Sequence, residues 1–174
     1  MLTLLKLLKD GRFHSGQALG AQLGISRSAV WKQLQKLQAE MNVPIHKVRG
    51  RGYKLASPVD LLDQEGVSES CYPVHIYEIV DSTNAEAFRQ INKGVSAPFV
   101  ISAEQQSAGR GRRGRHWISP FGQNVYYSLV LRVDGGLRQL EALSLVVGLA
   151  VLNTLKGFDV MTAGLKWPND ILVC

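Results

Sequence analysis

The stretch HSGQALGAQLGISRSAVWKQLQKLQAE, residues 14–40, decides how the front of this chain folds. It carries two helical patterns around a tight break. Ser15 is placed to cap the first helix, Gly24 to end it and Ser26 to cap the second. A serine hydroxyl accepts an orphan N–H of a first helical turn, and glycine enters the left-handed conformation without a Cβ clash. Ala18, Leu19 and Leu23 form the apolar stripe of the first helix, and Ile25, Val30, Leu34 and Leu37 that of the second. Arg27, Ser28, Trp31, Lys32, Gln35 and Lys36 are left outward. This is the layout of a helix-turn-helix, whose second helix enters the DNA major groove.

Working outward, Leu2, Leu4, Leu5, Leu7 and Leu8 give an amphipathic helix stopped at Gly11. On the other side, Val43–Val48 and Gly52–Leu55 read as strands joined by Arg49-Gly50-Arg51, the wing of a winged helix-turn-helix. Ser57-Pro58 marks a boundary. Residues 1–57 are therefore expected to be a DNA-binding domain able to fold alone, and 58–70 a linker. Within the linker, residues 59–70, with Asp60, Asp63, Glu65 and Glu69, read as a short connecting helix. A second domain is expected over 71–174, with strands at Val74–Val80, Phe99–Ala103, Asn124–Val133 and Leu165–Val173. Its helices are expected at Thr83 to about Asn92, with Thr83 and Glu86 in capping-box spacing, and at Leu137–Lys156.

Charge divides the same way. Residues 1–57 hold ten Lys/Arg against Asp10 and Glu40, a net of +8, whereas 58–174 are at −2. Only the front section is built to meet a polyanion. With 45% hydrophobic residues, the chain is not disordered by composition. Cys71 and Cys174 have no metal-type spacing and read as thiols of a reducing cytoplasm. No signal peptide is legible, and the longest apolar run, Ala142–Leu152, is too short to span a bilayer and reads as a buried core helix.

Three constellations carry chemistry. GRGRRGR, residues 109–115, sits in a domain that is net negative, between flanks that look folded. A solvated tract, an RNA-binding segment and an anion-binding loop are all open to such a run. The glycines let backbone N–H groups approach an anion, and guanidinium forks match phosphate oxygens. DSTN, residues 81–84, at a strand-to-helix junction, serves either as plain helix capping or as a polar ligand cluster. KWPND, residues 166–170, is either a strand entering a turn or a cation, an amide and a carboxylate set for a nucleotide and its metal.

DSTN, EQQSAGRGRRGRHW (104–117) with SPFGQNVYYSL (119–129), and KWPNDILV (166–173), in this order behind a winged helix-turn-helix, resemble the bacterial bifunctional biotin–protein ligases and biotin operon repressors. The resemblance covers nearly the whole chain. It implies an α+β protein: a winged helix-turn-helix followed by a class II synthetase-like mixed α/β catalytic domain. It implies an enzyme that joins biotin to ATP, with Mg²⁺, and transfers biotin to a lysine of a biotin carboxyl carrier protein. It also implies that biotinoyl-AMP is the corepressor, favouring a homodimer that binds operator DNA.

Residue by residue, the resemblance assigns Ser82, Thr83, Asn84 and Gln106 to the biotin ring. Gln105 offers an alternative register, and the spacing to Arg110 selects Gln106. Arg110, Gly111 and Arg112 match a mobile lid over the biotin carboxylate and the phosphate, with Arg110, Arg112 and Lys166 the catalytic set. Arg112, Arg113, Arg115, Trp117, Lys166, Asn169 and Asp170 go to ATP, with Trp117 on the adenine and Asp170 on the metal. Ser26, Arg27, Ser28, Trp31, Lys32, Gln35, Arg49 and Arg51 go to DNA, with Trp31 also a candidate to pack on the wing. The family pattern continues beyond KWPNDILV with a lysine-bearing strand and a C-terminal β-barrel, so the chain reads as a C-terminally truncated piece. Two alternatives stay open: a DNA-binding biotin sensor without ligase activity, and a related acyl-adenylating enzyme such as a lipoate ligase. The arginine loop and the winged domain favour biotin over lipoate.

Overall fold

The computed structural model describes residues 2–41, 43–134, 136, 140–167 and 170–173; at Leu2, expected on the apolar face of the first helix, and at Arg112 only the backbone is described. By its internal contacts the chain forms two compact units, Met1–Leu131 and Arg132–Cys174.

The first unit opens with α1 (Leu2–Leu8), α2 (Gly16–Leu23) and α3 (Arg27–Met41), followed by the antiparallel pair β1 (Ile45–Val48) and β2 (Gly52–Leu55). The local signals act as expected. Ser15 Oγ accepts from Ala18 N at 3.0 Å, Gly24 closes α2 at φ 66°, and Ser26 Oγ accepts from Ala29 N at 3.2 Å. Leu4, Leu5, Leu8, Leu19, Val30, Leu34 and Leu37 are buried in one core. Ala18 is exposed; Gly16 and Gly20 are buried in its place. A Cβ on Gly20 would stand 2.6 Å from the Ile25 carbonyl oxygen, so only glycine permits the chain after the turn to come this close. The wing is tied to the loop before α2 by reciprocal backbone bonds between His14 and Tyr53 of 2.8 and 2.9 Å.

The core of this segment is not closed by residues 1–57 alone. Phe121, from the loop before the strand at Tyr126–Val130, is 2% exposed within it, and Val59 and Leu61 pack against it. Residues 59–70 form no helix, contrary to expectation. The Leu62 N–H is given to the carboxylate of Glu104, 42 residues away, instead of to a helical carbonyl. Val59 and Leu61, two residues apart, are the nearest side chains to Gly122, a spacing suited to extended chain.

The rest of the first unit is a three-stranded sheet in the order β3 (Val74–Val80), β4 (Phe99–Gln106), β5 (Tyr126–Val130). β3 and β4 are parallel and joined by α4 (Thr83–Asn92); β4 and β5 are antiparallel. β4 is buried on both faces from Phe99 to Glu104, which suits its central place. It runs three residues further than the sequence suggests, and β5 is shorter.

The second unit holds α5 (Leu143–Gly157) and two antiparallel strands, β6 (Ala163–Lys166) and β7 (Asp170–Val173). The single strand expected over Leu165–Val173 is thus two. α5 starts at Leu143, after Ala142 at φ 65°, and not at Leu137; residues 137–139 lie outside the described set. Nor is α5 a buried helix, since none of its residues is buried. A pair of four-residue strands covers only one stripe of it, Gly148, Leu152 and Leu155, with Leu165 against Gly148. Among the described residues, no helix is long and apolar enough to cross a membrane.

Candidate active site and DNA-facing surface

β3 ends at Val80 opposite Gln106 of its parallel neighbour. The carboxyl ends of two parallel strands and the N-terminus of α4 therefore converge, the place where open α/β sheets bind ligands. The expected capping box is absent. Ser82 is the N-cap residue but makes no side-chain cap bond, and Glu86 turns to other partners. Gln106 caps α4 from β4 instead. Its Oε1 accepts from Thr83 N at 2.9 Å and from Thr83 Oγ1 at 3.2 Å. Ser128 of β5 donates to Thr83 Oγ1 at 2.9 Å, and Gln106 Nε2 donates to Ser119 Oγ at 3.1 Å. A polar network thus ties the start of α4 to β4, β5 and the Ser119 loop, and fixes Gln106 with Oε1 toward the helix.

Thr83, Gln106 and Ser128 line a cavity of about 380 Å³ together with Ser82, Asn84, Arg110, Gly111, Trp117 and Tyr127. The biotin-ring candidates Ser82, Thr83, Asn84 and Gln106 are thereby brought to one wall with Arg110 and Trp117. Gln105 is not among the lining residues, and its Oε1 is buried without a hydrogen-bond partner. Sequence reading named Ser119, Tyr127 and Ser128 only as part of a motif. The structure makes two of them bonding partners of Gln106 and Thr83.

The arginine loop is a short hairpin. Arg110 and His116 form an antiparallel bridge, Gly111 N donates to Arg115 O at 2.7 Å, and Trp117 N donates to Gly109 O at 3.0 Å. Its tip, Arg112–Gly114, is a turn with Arg113 at φ 60°. Gly109 is buried, and a Cβ there would meet Ser119 Oγ at 2.7 Å and Trp117 O at 2.8 Å. Glycine is needed at that position for close packing. Among the described residues, no carboxylate pairs with Arg110, Arg113 or Arg115, all three exposed.

Behind the cavity lies a network that the sequence reading missed. Arg89 grips the Asp81 carboxylate with Nη2 at 2.6 Å and Nη1 at 3.0 Å, and gives its Nε–H to Glu86 at 2.6 Å. Arg89, joined by the Ser82 N–H, holds the Asp81 carboxyl down to about 2. Gln90 and Tyr77 also donate to Glu86, and together with Arg89 they hold its carboxyl below the usual range although burial pushes the other way. On β7, Asp170 stands directly opposite Lys166 of β6, and both are exposed. Asn169 lies outside the described residues, as does Pro168.

On the winged segment, Arg27, Ser28, Trp31, Lys32 and Gln35 are exposed along α3, and Ser26 is exposed at its start. Trp31, 44% exposed, lines a shallow groove with Arg27, Ser28, Lys47 and Tyr53. The indole therefore borders the wing and still faces outward. Among the described residues no carboxylate pairs with Arg49 at the wing tip, while the Arg51 guanidinium lies 4.5 Å from the Phe13 ring centre.

Residues 76–174 match the model of the biotin/lipoate A/B protein ligase family, and residues 1–54 that of an HTH domain. The bifunctional ligase/repressor BirA of Salmonella typhimurium is 41% identical over 98% of this chain and 53% of its own length. That of Bacillus spizizenii is 34% identical over 92% of this chain and 51% of its own. A solved biotin protein ligase from Aquifex aeolicus, in complex with biotin and ATP, is 34% identical over 57% of this chain and 40% of that one, with a TM-score of 0.47. The chain spans about half the length of the curated relatives it matches. It belongs to the biotin/lipoate A/B protein ligase family, with a helix-turn-helix domain in front of the ligase segment.

Proposed function

We propose that this protein is a biotin–protein ligase that also represses transcription, working in the cytoplasm. The observation that carries the reading is the single cavity in which the amide and hydroxyl wall of Ser82, Thr83, Asn84 and Gln106 meets Arg110. A ureido ring needs both donors and acceptors, and a dithiolane ring needs neither, so the polar wall favours biotin over lipoate.

Arg110 and Arg112 bring the biotin carboxylate and the α-phosphate of ATP together by screening two anions that repel. A carboxylate oxygen attacks the α-phosphorus, the bond to the bridging oxygen breaks, and pyrophosphate leaves. The lysine amine of a biotin carboxyl carrier protein then attacks the acyl carbon, loses its proton and displaces AMP. Trp117 offers its exposed face to the adenine, Arg113 and Arg115 add positive charge, and Lys166 and Asn169 address the phosphates. Asp170 would hold Mg²⁺, which neutralises the triphosphate; one carboxylate fits an ion that keeps most of its waters. Bound adenylate favours a homodimer, which sets two α3 helices on two operator half-sites.

The test is biotin-dependent exchange of labelled pyrophosphate into ATP, followed by biotin transfer to a carrier domain. Exchange that falls about 100-fold or more in Arg110→Ala supports the reading. Binding of biotinyl-adenylate and DNA with no exchange would instead make the chain a sensor without ligase activity. No biotin binding by folded protein would sink both.

A further inference from the structure

The ligand cavity has a neighbour of about 430 Å³, lined by Asp81, Ser82, Asn84, Phe88, Ala108 and Arg110. Asp81 thus shares a cavity with the arginine that the ligase reading assigns to the substrate anion. A carboxylate there has two possible partners. Paired with Arg110, it would occupy the group needed for substrate; held elsewhere, it leaves Arg110 available.

The structure holds it elsewhere. The Asp81 carboxylate takes both Arg89 Nη groups and the Ser82 N–H at 2.8 Å, while its carbonyl accepts from Ala108 N at 2.8 Å. One residue thereby joins the turn carrying Ser82 to the start of the arginine loop. Arg89 is itself fixed through its Nε by Glu86, 7% exposed, which Gln90 and Tyr77 hold in turn. All three guanidinium nitrogens are used, a geometry that the point charge of lysine does not reproduce.

We propose that Arg89 is a positioning residue for biotin and its adenylate: it clamps Asp81 so that this carboxylate orders the Ser82 turn and does not compete for Arg110. The proposal rests on the ligase reading of the cavity. Asp81 and Arg89 are each nearly half exposed, at 47% and 45%, so the pair adds little to stability and its effect is on affinity.

The experiment is calorimetric titration of the 174-residue chain with biotin and with biotinyl-adenylate, beside thermal unfolding. Arg89→Ala weakens both ligands by about tenfold or more. Adding Asp81→Asn to Arg89→Ala restores part of the loss, because the competing charge is gone. Arg89→Lys falls between wild type and Arg89→Ala. Wild-type affinity in Arg89→Ala would overturn the assignment, as would a loss that follows a collapse in melting temperature and is not recovered in the double variant. A folded wild type that binds neither ligand would remove the reading of the cavity itself, and this proposal with it.

Discussion

Gln106→Ala removes a helix cap supplied from another element. Three hydrogen bonds are lost: Thr83 N and Thr83 Oγ1 to Oε1, and Nε2 to Ser119 Oγ. Thr83 and Ser119 are only 5% and 6% exposed, so water replaces these partners poorly. At about 1 kcal/mol for each net bond, with a cap worth about 0.5–2 kcal/mol, the expected destabilisation is about 2–3 kcal/mol. Gln105→Ala, one residue away on the same strand, is the control. Its side-chain oxygen is buried with no partner, so its removal should cost under about 1 kcal/mol. Urea unfolding of both variants measures the difference, and biotin titration should show affinity lost in Gln106→Ala alone. Equal destabilisation in the two variants would refute the reasoning. So would a Gln106→Ala protein within about 0.5 kcal/mol of wild type, because surface-like changes stay inside that range.

Three further outcomes are expected. Gly52 has φ 105°, and a Cβ there would lie 2.0 Å from the His14 carbonyl oxygen, so Gly52→Ala should break the wing–loop bridge. It should cost more than about 2 kcal/mol in thermal unfolding and weaken DNA binding. If Arg49 at the wing tip contacts phosphate, Arg49→Ala should lower the slope of log K against log salt by about 1, equally for all DNA sequences. Burial, with Asp60 nearby, pushes the Glu104 carboxyl above its ordinary 4.5, although the Leu62 N–H pulls it down. A raised folded value means that the folded chain binds the proton more tightly. The stability tied to protonation is therefore full below 4.5 and lost as pH rises through the folded value. Glu104→Gln should match wild type at low pH and exceed it at pH 7, where the buried charge no longer opposes folding; an advantage independent of pH would contradict this.

What could be read in advance followed the range of the forces involved. The caps Ser15, Gly24 and Ser26 act within four residues, so the helix-turn-helix was legible down to single positions. The Gln106 cap was not, because its acceptor lies 23 residues from the N–H it satisfies, and Thr83 with Glu86 offered a local pattern for the same task. The linker misled for the same reason: its acidic residues fit a short helix, whereas the bond from Leu62 goes to Glu104. Arg89 looked like any charged residue on a helix surface, and only the geometry ties it to Asp81. Lys166 to Val173 contained its own turn signal in Pro168-Asn169, which weighed too little against the apolar run that follows.

Phe121 sits two residues from Ser119, which bonds Gln106, and yet belongs to the core beneath α3. The helix-turn-helix segment should therefore not transfer as a cassette cut at the linker. A transplanted front segment would arrive with a socket shaped for a different plug, and the host would present an aromatic ring with nowhere to go. Chimeras of this architecture should fold when residues 59–62 and 119–122 travel with the helices they cover, and should aggregate when the junction respects only the sequence boundary.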